Sequence, residues 1–164
     1  MTRRRTALAA ALSLLPLGQP LLLGSTTALA TAAVVLSPQA AHAQSADDYV
    51  DAGIEKGKSG DLQGAIADFN KALIIDPQSA RAYYYRGIAK SYLKNHQGAI
   101  ADYNKAIEIN PQYANAYANS SIAKEKQGDL QGSCSDAKKA VSLGHQGTAQ
   151  WLNSEGGAWC RNMR

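Results

Sequence analysis

Between residues 46 and 147 the apolar side chains recur at intervals of three and four. Ala65-Ile66, Phe69 and Ala72-Leu73 make one such stripe, and that spacing puts them on a single face of an α-helix. Polar breaks interrupt the pattern at regular places. "KSGD" (58–61), "LKNH" (93–96) and "KQGD" (126–129) read as tight turns, with Gly60 and Gly128 suited to left-handed caps. Asp61, Asn95 and Asp129 follow where an N-cap is needed. Pro77 and Pro111 stop the second helix of their pairs. The pattern predicts helix pairs joined by short turns, with little strand.

The pairs are copies of one another. "DLQGAIADFNKAL" (61–73) recurs as "NHQGAIADYNKAI" (95–107) and as "DLQGSCSDAKKAV" (129–141), a period of 34 residues. Self-similarity at this period marks a helical solenoid. Tyr83, Gly87, Ala99, Tyr103, Ala106 and Pro111 in the second copy match Tyr49, Gly53, Ala65, Phe69, Ala72 and Pro77 in the first. At this spacing they resemble the tetratricopeptide repeat family from Ala46 to about Gly147. The resemblance implies an all-α, right-handed solenoid of three helix-turn-helix repeats (46–79, 80–113 and 114–147), closed by a C-terminal capping helix and tail over 148–164. In the third copy Ser121 replaces the glycine, Ser133 the alanine, Ala137 the aromatic and His145 the proline. Such erosion suits a terminal repeat with no neighbour to stack on.

Residues 1–43 stand apart. They open with Arg3-Arg4-Arg5, run through "ALAAALSLLPLGQPLLLG" and end in Ala41-His42-Ala43 before the polar "QSADD". A basic start, an apolar stretch and a small-residue cleavage site read as an export signal peptide. Ala28-Leu29-Ala30 offers an earlier cut, and an uncleaved anchor is the alternative. Export implies an extracytoplasmic destination: the periplasm, the thylakoid lumen in a photosynthetic source, or secretion. The leader also carries much of the charge asymmetry. Of 17 basic and 13 acidic residues it holds three arginines and no acid, which leaves 14 against 13. No basic cluster with interleaved aromatics remains, so nucleic acid is not an expected partner, nor is a membrane once the leader is removed.

"ARAYYYRG" (80–87) sorts its tyrosines by helical geometry. At about 100° per residue, Tyr84, Tyr85, Ile88 and Tyr92 fall within about 60° of Arg81, and Tyr83 falls opposite. Tyr83, with Tyr49 and Tyr117, takes the family's structural aromatic position, which implies core packing. The face of Arg81 is, by the resemblance, the concave groove that holds an extended peptide or a partner helix. That groove would also collect Val50, Ile54, Asn115, Asn119, Ile122 and Lys126. Tyrosine suits such a groove through its contact area, its hydroxyl and its low rotamer entropy. The plainer alternative has Tyr84 and Tyr85 only covering the interior. The carboxylate clamp of some family members is not matched, because Val50, Ile54 and Tyr85 stand where cations are needed. Arg81 and Lys126 remain to attract an acidic segment.

Cys134 and Cys160 are the two cysteines of the chain. In an exported protein they suggest one disulfide stapling the last helix, with Trp151 and Trp159, over the end of the stack. Closing that loop would contribute about 3 kcal/mol. A similar arrangement is found in small exported bacterial repeat proteins. A redox-switched dithiol is the rival reading, but no CxxC is present. Catalytic chemistry finds little support, and neither a cofactor nor a metal is expected. Asp68, Asp102 and Asp136 recur once per repeat, each with a lysine three residues on (Lys71, Lys105, Lys139), and read as a solvated ion-paired face. Lys56, Lys90 and Lys124 share the period, and their stems are expected to lie along the packed surface. The function expected is a non-catalytic interaction module holding an unidentified peptide or protein segment. The alternative is self-assembly through an uncapped first repeat.

Overall fold

The computed structural model divides the chain into two units, Met1–Gln39 and Ala40–Arg164. The described residues, 44–163, lie in the second. The leader assigned to residues 1–43 falls outside them. Among the described residues there are eight α-helices and no strand: α1 (Ala46–Lys58), α2 (Leu62–Ile75), α3 (Ala80–Tyr92), α4 (His96–Ile109), α5 (Ala114–Gln127), α6 (Leu130–Ser142), α7 (Gln146–Asn153) and α8 (Ala158–Asn162). The first six pair as α1–α2, α3–α4 and α5–α6, and each pair packs on the next through α2–α3 and α4–α5. This is the stacked solenoid expected from the period. None of the described helices is long and apolar enough to cross a membrane.

Local chemistry explains the boundaries. Asp61, Asn95 and Asp129 each accept a hydrogen bond from the backbone N–H three residues on, at 2.8, 2.9 and 2.8 Å. Ser45 and Asp48 form a reciprocal capping box at the start of α1. The turns between paired helices need one left-handed residue. Gly60 (φ 91°) and Gly128 (φ 86°) supply it, and in the middle repeat Lys94 takes the same conformation at φ 64°. A side chain there is strained by its own Cβ.

The core is built on alanine, with one aromatic per full repeat. Phe69 and Tyr103 are buried, and each lies against the glycine of the preceding helix. A Cβ on Gly53 would sit 2.6 Å from the Phe69 ring, and one on Gly87 would sit 2.7 Å from Tyr103. In the third repeat both members of the pair change together, to Ser121 and Ala137, and both are buried. Its departures are therefore linked by volume: losing the ring makes room for the extra side chain. Ser133 is less well accommodated, since its hydroxyl is buried without a hydrogen-bond partner.

Three expectations need correction. Asp68 and Asp102 are buried, not solvated, and the recurring lysines of the first helices turn inward to meet the aspartates. Lys56 binds Asp68 at 2.5 Å, Lys90 binds Asp102 at 2.7 Å and Lys124 binds Asp136 at 2.6 Å. An aspartate taken out of water requires such a partner. Lys71 does reach Asp68, but Lys105 pairs with Glu108 instead. In the middle repeat Arg86 adds a two-pronged contact to Asp102, at 2.9 and 2.6 Å, and a bond to Asn70 of the first repeat. In the third, Ser120 stands in the place of Arg86 and binds Asp136 at 2.6 Å.

The second correction concerns Tyr49, Tyr83 and Tyr117, which are only half-buried; of the three, Tyr49 packs against the core cluster of the first repeat. Lys71 lies over the Tyr49 ring and Arg86 over the Tyr83 ring, each at 5.2 Å. The third concerns the C-terminal cap, which is two short helices, α7 and α8, joined by a 3-10 turn at Glu155–Gly157. The break follows from close approach, because a Cβ on Gly157 would meet the backbone of Trp151 and Leu152. His145 caps α7 through Nδ1, which accepts from the Thr148 N–H at 3.0 Å. Trp151 and Trp159 meet edge to face at 6.0 Å, and Arg161 holds the carbonyls of Leu152 and Ser154. Cys134 and Cys160 are both buried, with Cα atoms 5.3 Å apart and sulfurs in contact.

The two ends of the stack differ from its interior. At the positions where α3 and α5 bury Ala82 with Ala89, and Ala116 with Ala123, helix α1 carries Asp48 and Glu55, both exposed. Acids replace the small residues that would seat another helix. The first repeat thus has a polar outer face of its own.

Candidate functional site

The first helices of the repeats (α1, α3 and α5) and α7 together line a row of connected pockets. The largest, about 800 Å³, lies between α1 and α3. Ile54, Leu62, Tyr85, Ile88 and Tyr92 give it apolar walls, with Asp51, Glu55, Lys58 and Arg81 among its charged lining residues. A second, of about 360 Å³, lies beyond Ile88 and Tyr92, which belong to both. Asn119, Ile122, Lys94 and Lys126 help to line it. A third, of about 240 Å³, shares Asn119 and Ile122 and reaches Trp151 on α7. Ile54, Ile88 and Ile122 occupy one repeat position, so the period that builds the stack also lays an aliphatic residue along each segment of the groove.

Of the residues assigned from sequence, Arg81, Tyr85, Ile88, Tyr92, Asn119, Ile122 and Lys126 do line these pockets. Tyr92 is 71% exposed and Ile122 53%. Val50 does not belong with them: it is wholly buried in the core beneath. Asn115 is exposed and is not among the lining residues of the three pockets. Tyr84 is half-buried at the centre of an aromatic cluster, with its ring 4.7 Å from Tyr113, 5.1 Å from Tyr85 and 6.1 Å from Tyr103. Its hydroxyl accepts a hydrogen bond from Asn119 at 3.1 Å. Tyr84 therefore braces the groove floor between α3 and α5. Burial raises the hydroxyl pKa of Tyr84, and raises that of Tyr113 to about 12.

Arg81 also differs from its expected role. It binds Asp51 at 2.5 Å and lies 3.7 Å from Asp47, so its charge is balanced within the first two repeats. Its guanidinium covers the Tyr85 ring at 5.8 Å. Lys94 and His96, which line the second pocket, and Tyr113, which packs on Tyr84, were not singled out in the sequence. Tyr113 sits at the helix boundary before α5, where periodicity gives no signal. Lys94 lies in a turn, and a turn residue is assigned to no helix face.

The arrangement supplies a surface for contact. Among the described residues no group of three or more His, Cys, Asp or Glu is placed to hold a metal ion. A TPR repeat model matches residues 58–91, and a tetratricopeptide repeat model matches residues 80–113. No curated protein matches the sequence. Among solved structures, the crystal structure of MamA is 27% identical with a TM-score of 0.60, over 65% of this chain and 62% of that one. The present chain thus spans less than two thirds of MamA's length. The first TPR of Spaghetti (RPAP3), bound to the HSP90 peptide SRMEEVD, is 24% identical with a TM-score of 0.61, over 68% of this chain and 95% of that one. The TPR2B domain of yeast Sti1, in a pHsp70 complex, is 24% identical with a TM-score of 0.59, over 71% and 90%. The 34-residue period, the stacked hairpins with their glycine–aromatic pairs, and these matches lead to one conclusion: the chain carries tetratricopeptide repeats.

Proposed function

We propose that this protein is an exported, non-catalytic interaction module that holds a peptide or protein segment in the groove lined by Tyr85, Ile88, Tyr92 and Ile122. The observation that carries the reading is the open pocket between α1 and α3, whose aromatic and aliphatic walls are half-buried at Ile54, Leu62, Tyr85 and Ile88 and exposed at Tyr92, over a closed core of Val50, Phe69 and alanines. Solvent-facing apolar surface in a concave site is the usual mark of a contact surface. Repeat structures of the same fold are bound to an HSP90 peptide or in a pHsp70 complex, which supports peptide capture here. We place the protein outside the cytoplasm on the strength of its leader, and with a Cys134–Cys160 disulfide closing the cap. The burial of both sulfurs weighs against a cycling dithiol. The acids of α1 weigh against stacking of copies through the first repeat.

The test is a photocrosslinking amino acid placed at Ile88, in the groove, or at Ala101, on the exposed side of α4, in the living source cell. A discrete adduct from position 88 that is absent from position 101 is the expected result. Equal adducts from both, or none from 88, would overturn the groove as the contact site.

A further inference from the structure

Charge along the groove is unevenly matched. Nearly every cation on the first helices is held by a carboxylate: Lys56 and Lys90 by the buried Asp68 and Asp102, Lys124 by the half-buried Asp136, Arg86 by Asp102, Arg81 by Asp51 and Lys58 by Glu55. Among the described residues, Lys94 and Lys126 make no ion pair or hydrogen bond through their ammonium groups, and both line the pocket of about 360 Å³. No carboxylate is among the residues lining that pocket. Glu125, adjacent to Lys126 in the chain, lines the neighbouring pocket beside His145. Across the wall formed by Ile88 and Tyr92, the larger pocket has aromatic and aliphatic walls, and its cations Arg81 and Lys58 are already balanced by Asp51 and Glu55.

We infer that the groove selects an internal acidic segment: an extended stretch of a partner with an apolar side chain in the Tyr85–Ile88–Tyr92 pocket and a side-chain carboxylate at Lys94 and Lys126. The inference rests on the groove reading above and adds the chemistry of the partner. Two ammonium groups without a counter-charge beside exposed apolar surface favour an anion that brings its own apolar neighbour. The acids of α1 oppose the reverse placement, so the carboxylate belongs at the Lys94–Lys126 side of the wall. Because these lysines lie at the ends of α3 and α5, side-chain carboxylates within the segment suffice and a free C-terminus is not required.

The experiment is selection of random dodecapeptides, amidated at the C-terminus, on the full chain. The arms are wild type, the Lys94→Gln/Lys126→Gln variant and Ile88→Asp, with circular dichroism confirming unchanged helicity. Expected are wild-type ligands enriched in Asp or Glu near an apolar residue, with affinity falling about tenfold on the double lysine variant and falling with added salt. Ligands lost on Ile88→Asp but without acidic enrichment would overturn this inference and leave the groove reading standing. Ligands insensitive to Ile88→Asp, or no ligand at all, would overturn both. Binding only by peptides with a free C-terminal carboxylate would also overturn it, in favour of terminal-carboxylate capture.

Discussion

Replacing Gly87 with serine should destabilise the protein, and replacing Tyr103 with alanine in the same molecule should return part of the loss. A Cβ on Gly87 would lie 2.7 Å from one carbon of the Tyr103 ring and 2.9 Å from another, where 3.4 Å is the lower bound of ordinary contact. The ring would have to move by about 0.7 Å. It is only 2% exposed and is backed by Tyr84, so it has little room. Overpacking of this kind costs about 1–3 kcal/mol, against a gain of about 0.5 kcal/mol from removing a helical glycine. Tyr103→Ala alone should cost about 3–5 kcal/mol through its cavity. In the double variant the serine no longer meets a ring, so the total should fall short of the sum by about 1–3 kcal/mol. That pair is the one found naturally in the third repeat, as Ser121 with Ala137. Urea unfolding of the four proteins, followed by circular dichroism, gives the cycle. Additivity within about 0.5 kcal/mol, or a Gly87→Ser protein more stable than wild type, would refute the argument.

Four further outcomes follow from particular contacts. Lys94→Gly should raise the melting temperature by relieving the left-handed backbone (φ 64°), a gain of about 1 kcal/mol, while weakening selection of acidic peptides. The Lys56 ammonium, hydrogen-bonded to Asp68, holds that carboxyl below its usual value against the opposing effect of burial. A lowered folded-state pKa adds stability above the unfolded value of about 3.9 and loses it as pH falls through the folded value; the stability gap between wild type and Asp68→Asn should therefore close below about pH 4 in thermal melts. Cys160→Ser should lower stability by about 3 kcal/mol, and thiol alkylation of the native protein followed by mass spectrometry should find neither cysteine labelled. Asp48→Ala/Glu55→Ala should add a concentration-dependent dimer in light scattering, since small residues at those positions are what seat one repeat on the next; a strictly monomeric variant would show that the acids do not guard that face.

The sequence by itself determined the number of helix pairs, their turns and the places of closest packing. Those features depend on short-range rules: helical spacing, a left-handed turn residue, an N-cap, a glycine opposite an aromatic. They recur every 34 residues, so each repeat corroborates the others. Tertiary structure decided what could not be read within one repeat. Lys56 and Asp68 were both visible as periodic charges, but only packing showed that one charge serves the burial of the other. The helical wheel put Arg81, Tyr84 and Tyr85 on one face. The stack then separated them by what α1 and α5 bring near: acids that neutralise Arg81 and Asn119 that binds Tyr84, while Tyr85 lines the larger pocket with the Arg81 guanidinium over its ring. Lys94 had no helix face to declare it, and entered the groove because the turn after α3 places it beside α5. A side chain's distance along the chain fixes its own helix, while the groove is set by residues 34 positions apart whose charges and volumes are balanced only when the repeats meet.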